Sequence, residues 1–246
     1  MSTPHYVVLL ATISLAYAVF GMTGFGAAMV AVPILVQILP LEFAVPLILL
    51  LDVVATVSVA VRNHNHMALP ELGRLLPPML FGVFLGATIL ARVKSSWLLI
   101  ALGVFVLAMT ARNFLMRRSA QSPVSLKWSM PAGVTGGIFS ALFGTGGPIY
   151  TMYLSRRLPE MQQFRATIAA VIFLSAIVRS GAFASNGLLF KEGLLRTALY
   201  CLPFCGLGLF IGSRIRQKVS QQVVKNLLLG LLCAGAVGAI YRGIFP

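Results

Sequence analysis

Arg179 and Asp52 are ionisable residues set inside runs of otherwise apolar and hydroxyl-bearing side chains. A charge at that depth of a lipid bilayer costs several kcal/mol unless it is paired or wetted, so the first expectation for both is a functional one. Arg179 carries a planar fork of donors suited to an anionic head group. Asp52 can neutralise Arg179 when no anion is present, or take up a coupling proton. The same residues allow a plainer account, in which the two form a structural pair or Arg179 snorkels from near its helix end to the interface.

Two glycine clusters supply the second chemistry. Thr23, Gly24, Phe25 and Gly26 form the first; Gly144, Thr145, Gly146 and Gly147 form the second, with Pro148 directly after it. Glycine lets the backbone leave a helix, and proline suits the first position of a new one. A helix that starts inside the bilayer offers bare N–H groups and a positive dipole end, which together favour an anion. The alternative is that these glycines only let helices pack closely. Thr56, Ser58, Ser175 and Ser180 add hydroxyls on the helices of Asp52 and Arg179, where bonding back to a helix carbonyl is the ordinary outcome.

The elements that position these residues are membrane spans. Hydrophobic residues make up 59% of the 246-residue chain and charged residues 10%, with a mean hydropathy of +0.94; a soluble domain is about a quarter charged. Apolar segments run from about Tyr6 to Pro40, Leu41 to Val61, Leu72 to Ala91, Trp97 to Met116, Trp128 to Leu158, Phe164 to Ala184, Leu195 to Ser213 and Val223 to Tyr241. The first and fifth are too long for one crossing, and each holds a glycine cluster at its middle. Each reads as two half-length helices around a break.

The pattern is four segments, then four again, as an internal duplication produces. Phe43 corresponds to Phe164, and Gly82-x-x-x-Gly86 to Gly208-x-x-x-Gly212, small pairs that allow close backbone approach. With eight plain spans the loop Lys and Arg divide evenly, nine against nine. With each long segment as a hairpin, thirteen fall on one side, among them Arg62, Arg74, Arg117, Arg157 and Arg165, and five on the other: Arg92, Lys94, Lys191, Arg196 and Arg242. The bias places the thirteen in the cytoplasm and both termini outside. The expected fold is therefore all-α: a polytopic transmembrane helical bundle of two inverted repeats, each a broken-helix hairpin plus three spanning helices. Residues 1–119 form the first repeat, 120–125 a linker and 126–246 the second.

The excess of 19 Lys and Arg over 5 acidic residues sits beside spans, which fits an anionic leaflet rather than nucleic acid. Cys201, Cys205 and Cys233 lie in apolar segments as packing residues, and His64 and His66 read as a solvated loop. Trp97 and Trp128 read as interface anchors, and Tyr150 and Tyr153 fall at or near segment ends or half-helices. Metal-protease, nucleophile-elbow and phosphate-loop motifs are absent, so no enzyme activity, cofactor or ATP hydrolysis is expected.

The twin glycine signatures, Gly24-Phe25-Gly26 with Pro33 and Gly144 to Pro148, resemble those of the TauE/SafE family of sulfite-exporter-like transporters. The likeness covers nearly the whole chain. It implies a bacterial inner-membrane permease for sulfite, sulfonates, thiosulfate or small organic acids, coupled to protons. The first cluster departs from the family in carrying Ala27 and Ala28 where a further glycine is usual. Expected partners are a small anionic substrate and the lipid bilayer, with a homodimer left open. A passive anion channel, and a membrane-embedded assembly factor without transport, are the rival readings.

Overall fold

The computed structural model describes residues 3–23, 26–60, 67–115, 124–215 and 221–244, without the side chains of 3–4, 23, 57–60, 113–115, 221–229 and 231. Among the described residues are ten α-helices: α1 (Thr3–Thr23), α2 (Ala27–Leu35), α3 (Leu41–Ala60), α4 (Leu69–Arg92), α5 (Ser95–Leu115), α6 (Ser129–Phe143), α7 (Gly147–Arg157), α8 (Met161–Ser185), α9 (Leu194–Ile215) and α10 (Gln221–Ile244). Five of them, α1, α4, α5, α8 and α9, are long and apolar enough to cross a membrane. No strand occurs among the described residues. His64 and His66 lie outside them.

Both overlong segments are broken at their glycines, but the arms are unequal. α1 has 21 residues, about 31 Å at 1.5 Å per residue, longer than the half-length helix expected and long enough to cross a membrane. α2 has 9 residues, about 13 Å. The asymmetry has a local cause. α1 continues upstream through Pro4, tolerated in a first turn, whereas Pro40 disfavours helix in the residue before it, and α2 ends at Leu35. In the second segment α6 has 15 residues and α7 has 11.

Close packing is set by the small residues. α1 and α9 run side by side in the same direction, Gly208 lying against Ser14 and Gly212 against Ala18. α4 and α6 also run parallel: Gly133 faces Leu75 and Pro78, and Gly86 faces Ile138. α5 and α10 run antiparallel, with Gly103 on Ala236 and Ile240, and Gly243 on Ser96 and Ile100. In lipid, tight van der Waals contact of this kind replaces the hydrophobic effect as the cause of helix association. Both small-x-x-x-small pairs therefore lie where the sequence put them, in helix interfaces. The first helix of each series packs on the fourth helix of the other.

α3 and α8 pack against each other, and large apolar side chains such as Phe81, Val104, Leu199 and Phe210 are exposed, as a lipid-facing girdle requires. Trp97 and Trp128 are exposed at helix starts. Cys201 and Cys205 are buried thiols.

Candidate functional site

The second glycine cluster builds one wall of a cavity. Gly144 takes a left-handed conformation, φ 69°, which only glycine adopts without strain. The chain folds back there, so that the Gly144 amide donates to the Ser140 carbonyl at 2.8 Å and the Thr145 amide to that of Phe139 at 3.2 Å. Those two donors are consumed. Gly147 then opens α7 with Pro148 in its first turn, and the amides of Gly146 and Gly147 find no backbone partner among the described residues. At the first break the left-handed glycine is Gly26, φ 94°, which directly precedes α2.

The two breaks meet. A β-carbon on Gly144 would lie 2.5 Å from that of Ala28 and 3.5 Å from Arg179 Nη1. Between them lies a cavity of about 30 Å³, lined by the first turn of α2, the start of α7 and side chains of α1, α3, α6 and α8. It holds roughly two water-sized occupants, since each needs about 10–15 Å³ by this measure.

Asp52 and Arg179 are the charged residues of its lining, at 7% and 2% exposure, so neither reaches water by snorkelling. Arg179 Nη2 lies 3.5 Å from Asp52 Oδ2, and Nη1 donates to the Ser140 carbonyl at 3.3 Å. Tyr17 donates its hydroxyl to Asp52 Oδ1 at 2.9 Å. The Ser140 and Ser175 hydroxyls share a hydrogen bond of 2.7 Å. At 3.5 Å, with one oxygen already held by Tyr17, the Asp52–Arg179 pair is looser than a bidentate fork, whose N···O distances are about 2.7–2.9 Å. Such a pair leaves donors over for a ligand.

Of the residues singled out in the sequence, Gly26, Gly144, Thr145, Gly147, Asp52 and Arg179 all line this cavity. Gly146 lies behind the wall, packed on Ser140, Gly136 and Tyr150. Gly24 and Phe25, with the side chains of Thr23 and Ser58, lie outside the described residues. Thr56 and Ser180 bond back to their own helix carbonyls. Sequence reasoning did not find Tyr17, Ser140 or the cavity position of Tyr150, because one tyrosine or serine in an apolar helix carries no signal until the partner helix is known.

Glu71 was missed altogether. Buried at 5% exposure in the first turn of α4, it accepts from Tyr153 Oη at 2.6 Å, from Arg157 Nε and Nη2 at 3.1 and 2.9 Å, and from Arg74 Nη1 at 3.0 Å. It thereby pins the C-terminal turn of α7, the helix whose other end faces the cavity.

The family model described as sulfite exporter TauE/SafE matches residues 9–239 of this chain. The chain belongs to the TauE/SafE family. A relative from Comamonas testosteroni, described as probable inner membrane transporter protein TsaS, is 26% identical over 194 residues, covering 78% of this chain and 80% of that protein. No solved structure matches significantly. The TauE/SafE match spans both glycine breaks and the Asp52–Arg179 pair, and with the apolar helices it identifies a multi-pass membrane transporter.

Proposed function

We propose that this chain is a secondary transporter that moves a small anion, a sulfur oxyanion such as sulfite, sulfonate or thiosulfate or a small organic acid, across the inner membrane together with a proton. The observation that carries this reading is a buried Asp52–Arg179 pair in a cavity where two helix breaks meet. An entering anion competes with the Asp52 carboxylate for Arg179. Protonation of Asp52 releases the guanidinium, and a monoanion then restores the charge of the empty site. One proton with one monoanion, such as hydrogensulfite or a sulfonate, leaves the buried charge unchanged, which avoids the cost of a net charge in low dielectric; a dianion such as thiosulfate requires a second proton.

The directions of the packed helices support inverted repeats. A two-fold axis in the membrane plane makes α5 and α10 antiparallel and makes α1 parallel to α9 and α4 to α6, as they run here. Paired broken helices of this kind suit alternating access around a midplane site. The same topology keeps Arg157 with Glu71 at one end and Lys191 with Glu42 at the other, in agreement with a cytoplasmic basic side and both termini outside.

Purified protein in proteoliposomes tests the proposal. An imposed inward proton gradient is expected to drive saturable sulfite uptake that Arg179→Ala abolishes. A flux that rises linearly with sulfite and ignores the gradient would make the protein a channel; no flux of any tested anion would remove transport through this cavity.

A further inference from the structure

Four buried side-chain polar atoms have no hydrogen-bond partner among the described residues: Thr110 Oγ1, Thr151 Oγ1, Tyr150 Oη and Arg179 Nε. The last two belong to residues that line the cavity, at 1% and 2% exposure. Buried donors without partners are rare in folded proteins because the desolvation they suffer is not offset. Tyr150 is set in place by packing: its ring lies on Gly136 and Gly146, where any β-carbon would strike it. The ring is thereby fixed in the cavity lining, and its hydroxyl makes no hydrogen bond among the described residues. Its polar neighbour Ser175 shares a hydrogen bond of 2.7 Å with Ser140 and keeps an acceptor lone pair, so Ser175→Ala is the control for a bond between Ser175 and the Tyr150 hydroxyl.

We infer that the Tyr150 hydroxyl and the Arg179 Nε–H are directional donors to the bound anion, and that Tyr150 makes the site favour oxyanions over halides. This rests on the anion site proposed above. A halide is one sphere, whose charge Arg179 and the helix amides satisfy from any side. An oxyanion presents several separate acceptors, one for each fixed donor, so removing a donor penalises only the ligand that used it.

The test is calorimetric binding of sulfite and of bromide to the full-length protein in detergent, for the wild type, Tyr150→Phe and Ser175→Ala, with each unliganded melting temperature. Phenylalanine keeps the ring on Gly136 and Gly146. Tyr150→Phe is expected to weaken sulfite about tenfold, the scale of one lost hydrogen bond, and to leave bromide within about twofold. Its unliganded melting temperature is expected to stay level or rise, since a buried unpaired hydroxyl has gone. Equal sulfite affinity in wild type and Tyr150→Phe overturns the inference alone. A matching fall in melting temperature in Tyr150→Phe and Ser175→Ala also overturns it, because the hydroxyl then serves an internal bond. A wild type that binds neither anion overturns the proposed site and this inference with it.

Discussion

Ala28, in the first turn of α2, lies directly against Gly144, so the two helix breaks touch with no side chain larger than a methyl between them. The Ala28 methyl fills the space that a Gly144 side chain would need. The contact closes one wall of the cavity and brings Arg179 beside the turn.

Gly144→Ala should therefore carry two separable costs. The left-handed backbone at φ 69° costs an L-residue about 1–2 kcal/mol, and the overlap with Ala28 adds about 1–3 kcal/mol. Ala28→Gly in the same chain is expected to relieve the second cost and not the first. Melting temperatures in detergent for the two single variants and the double close the cycle. Additive effects would mean that the breaks do not touch.

Asp52→Asn removes the counter-charge of Arg179 and keeps an acceptor for Tyr17. Breaking one side of a buried pair destabilises a protein by about 3–5 kcal/mol, so the unliganded variant should melt well below wild type. Saturating sulfite should recover most of the difference, because the anion takes the carboxylate's place. With Asp52 as the proposed proton site, the affinity of the variant for methanesulfonate, a monoanion whose own charge does not change in this range, should also be flat between pH 6 and 8. Wild-type pH dependence in Asp52→Asn would assign the proton elsewhere.

Two glycines of α9, one on each side of Gly208, separate packing from helix propensity. A β-carbon at Gly212 would run into the Ala18 backbone of α1, whereas one at Gly206 meets nothing within 4 Å. Gly212→Ala should lower stability by about 2 kcal/mol or more. Gly206→Ala should be neutral or gain up to about 1 kcal/mol from better helix propensity. Similar melting temperatures for the two variants would mean that α1 and α9 are not in close contact.

How much of this could be read from the chain follows from what kind of signal each residue leaves. The spans and breaks were legible because hydropathy and glycine act locally: Gly144 ends α6 through its own φ. The interfaces at Gly82, Gly86, Gly208 and Gly212 were legible as pairs, although which helix fills each groove was not, since small residues name no partner. Arg179 and Asp52 stood out by the cost of burying charge. Tyr17 and Tyr150 left no such mark, because a phenol is tolerable in an apolar helix whether or not it has a partner. The unequal arms of the first hairpin were missed because an apolar run does not show where its helices stop. Glu71 was the avoidable omission. It is one of only 5 acidic residues in a chain with 19 basic ones, yet an acidic residue beside a proline in a first helical turn looks like an ordinary partner of the helix dipole.

Glu71 should be the most damaging carboxylate to lose outside the cavity. Its side chain is 6% exposed and joins α4 to the end of α7 through Arg157, which is 24% exposed, while the Arg74 contact, at 43%, is screened by solvent. Glu71→Gln keeps the shape but strips the charge from the Tyr153 and Arg157 hydrogen bonds, a loss of about 2 kcal/mol. The ion pair of Glu42 with Lys191 is the control, its side chains about one-third exposed, at 31% and 33%; Glu42→Gln should cost under about 1 kcal/mol. Because α7 is anchored at Glu71 and its first turn lines the cavity proposed to hold the anion, Glu71→Gln should also raise the sulfite KM in proteoliposomes while Glu42→Gln does not. Equal losses in the two variants would mean that burial at α7 carries no special weight. An unchanged KM in a destabilised Glu71→Gln protein would mean that the anchored end of the helix and its anion-facing end are uncoupled.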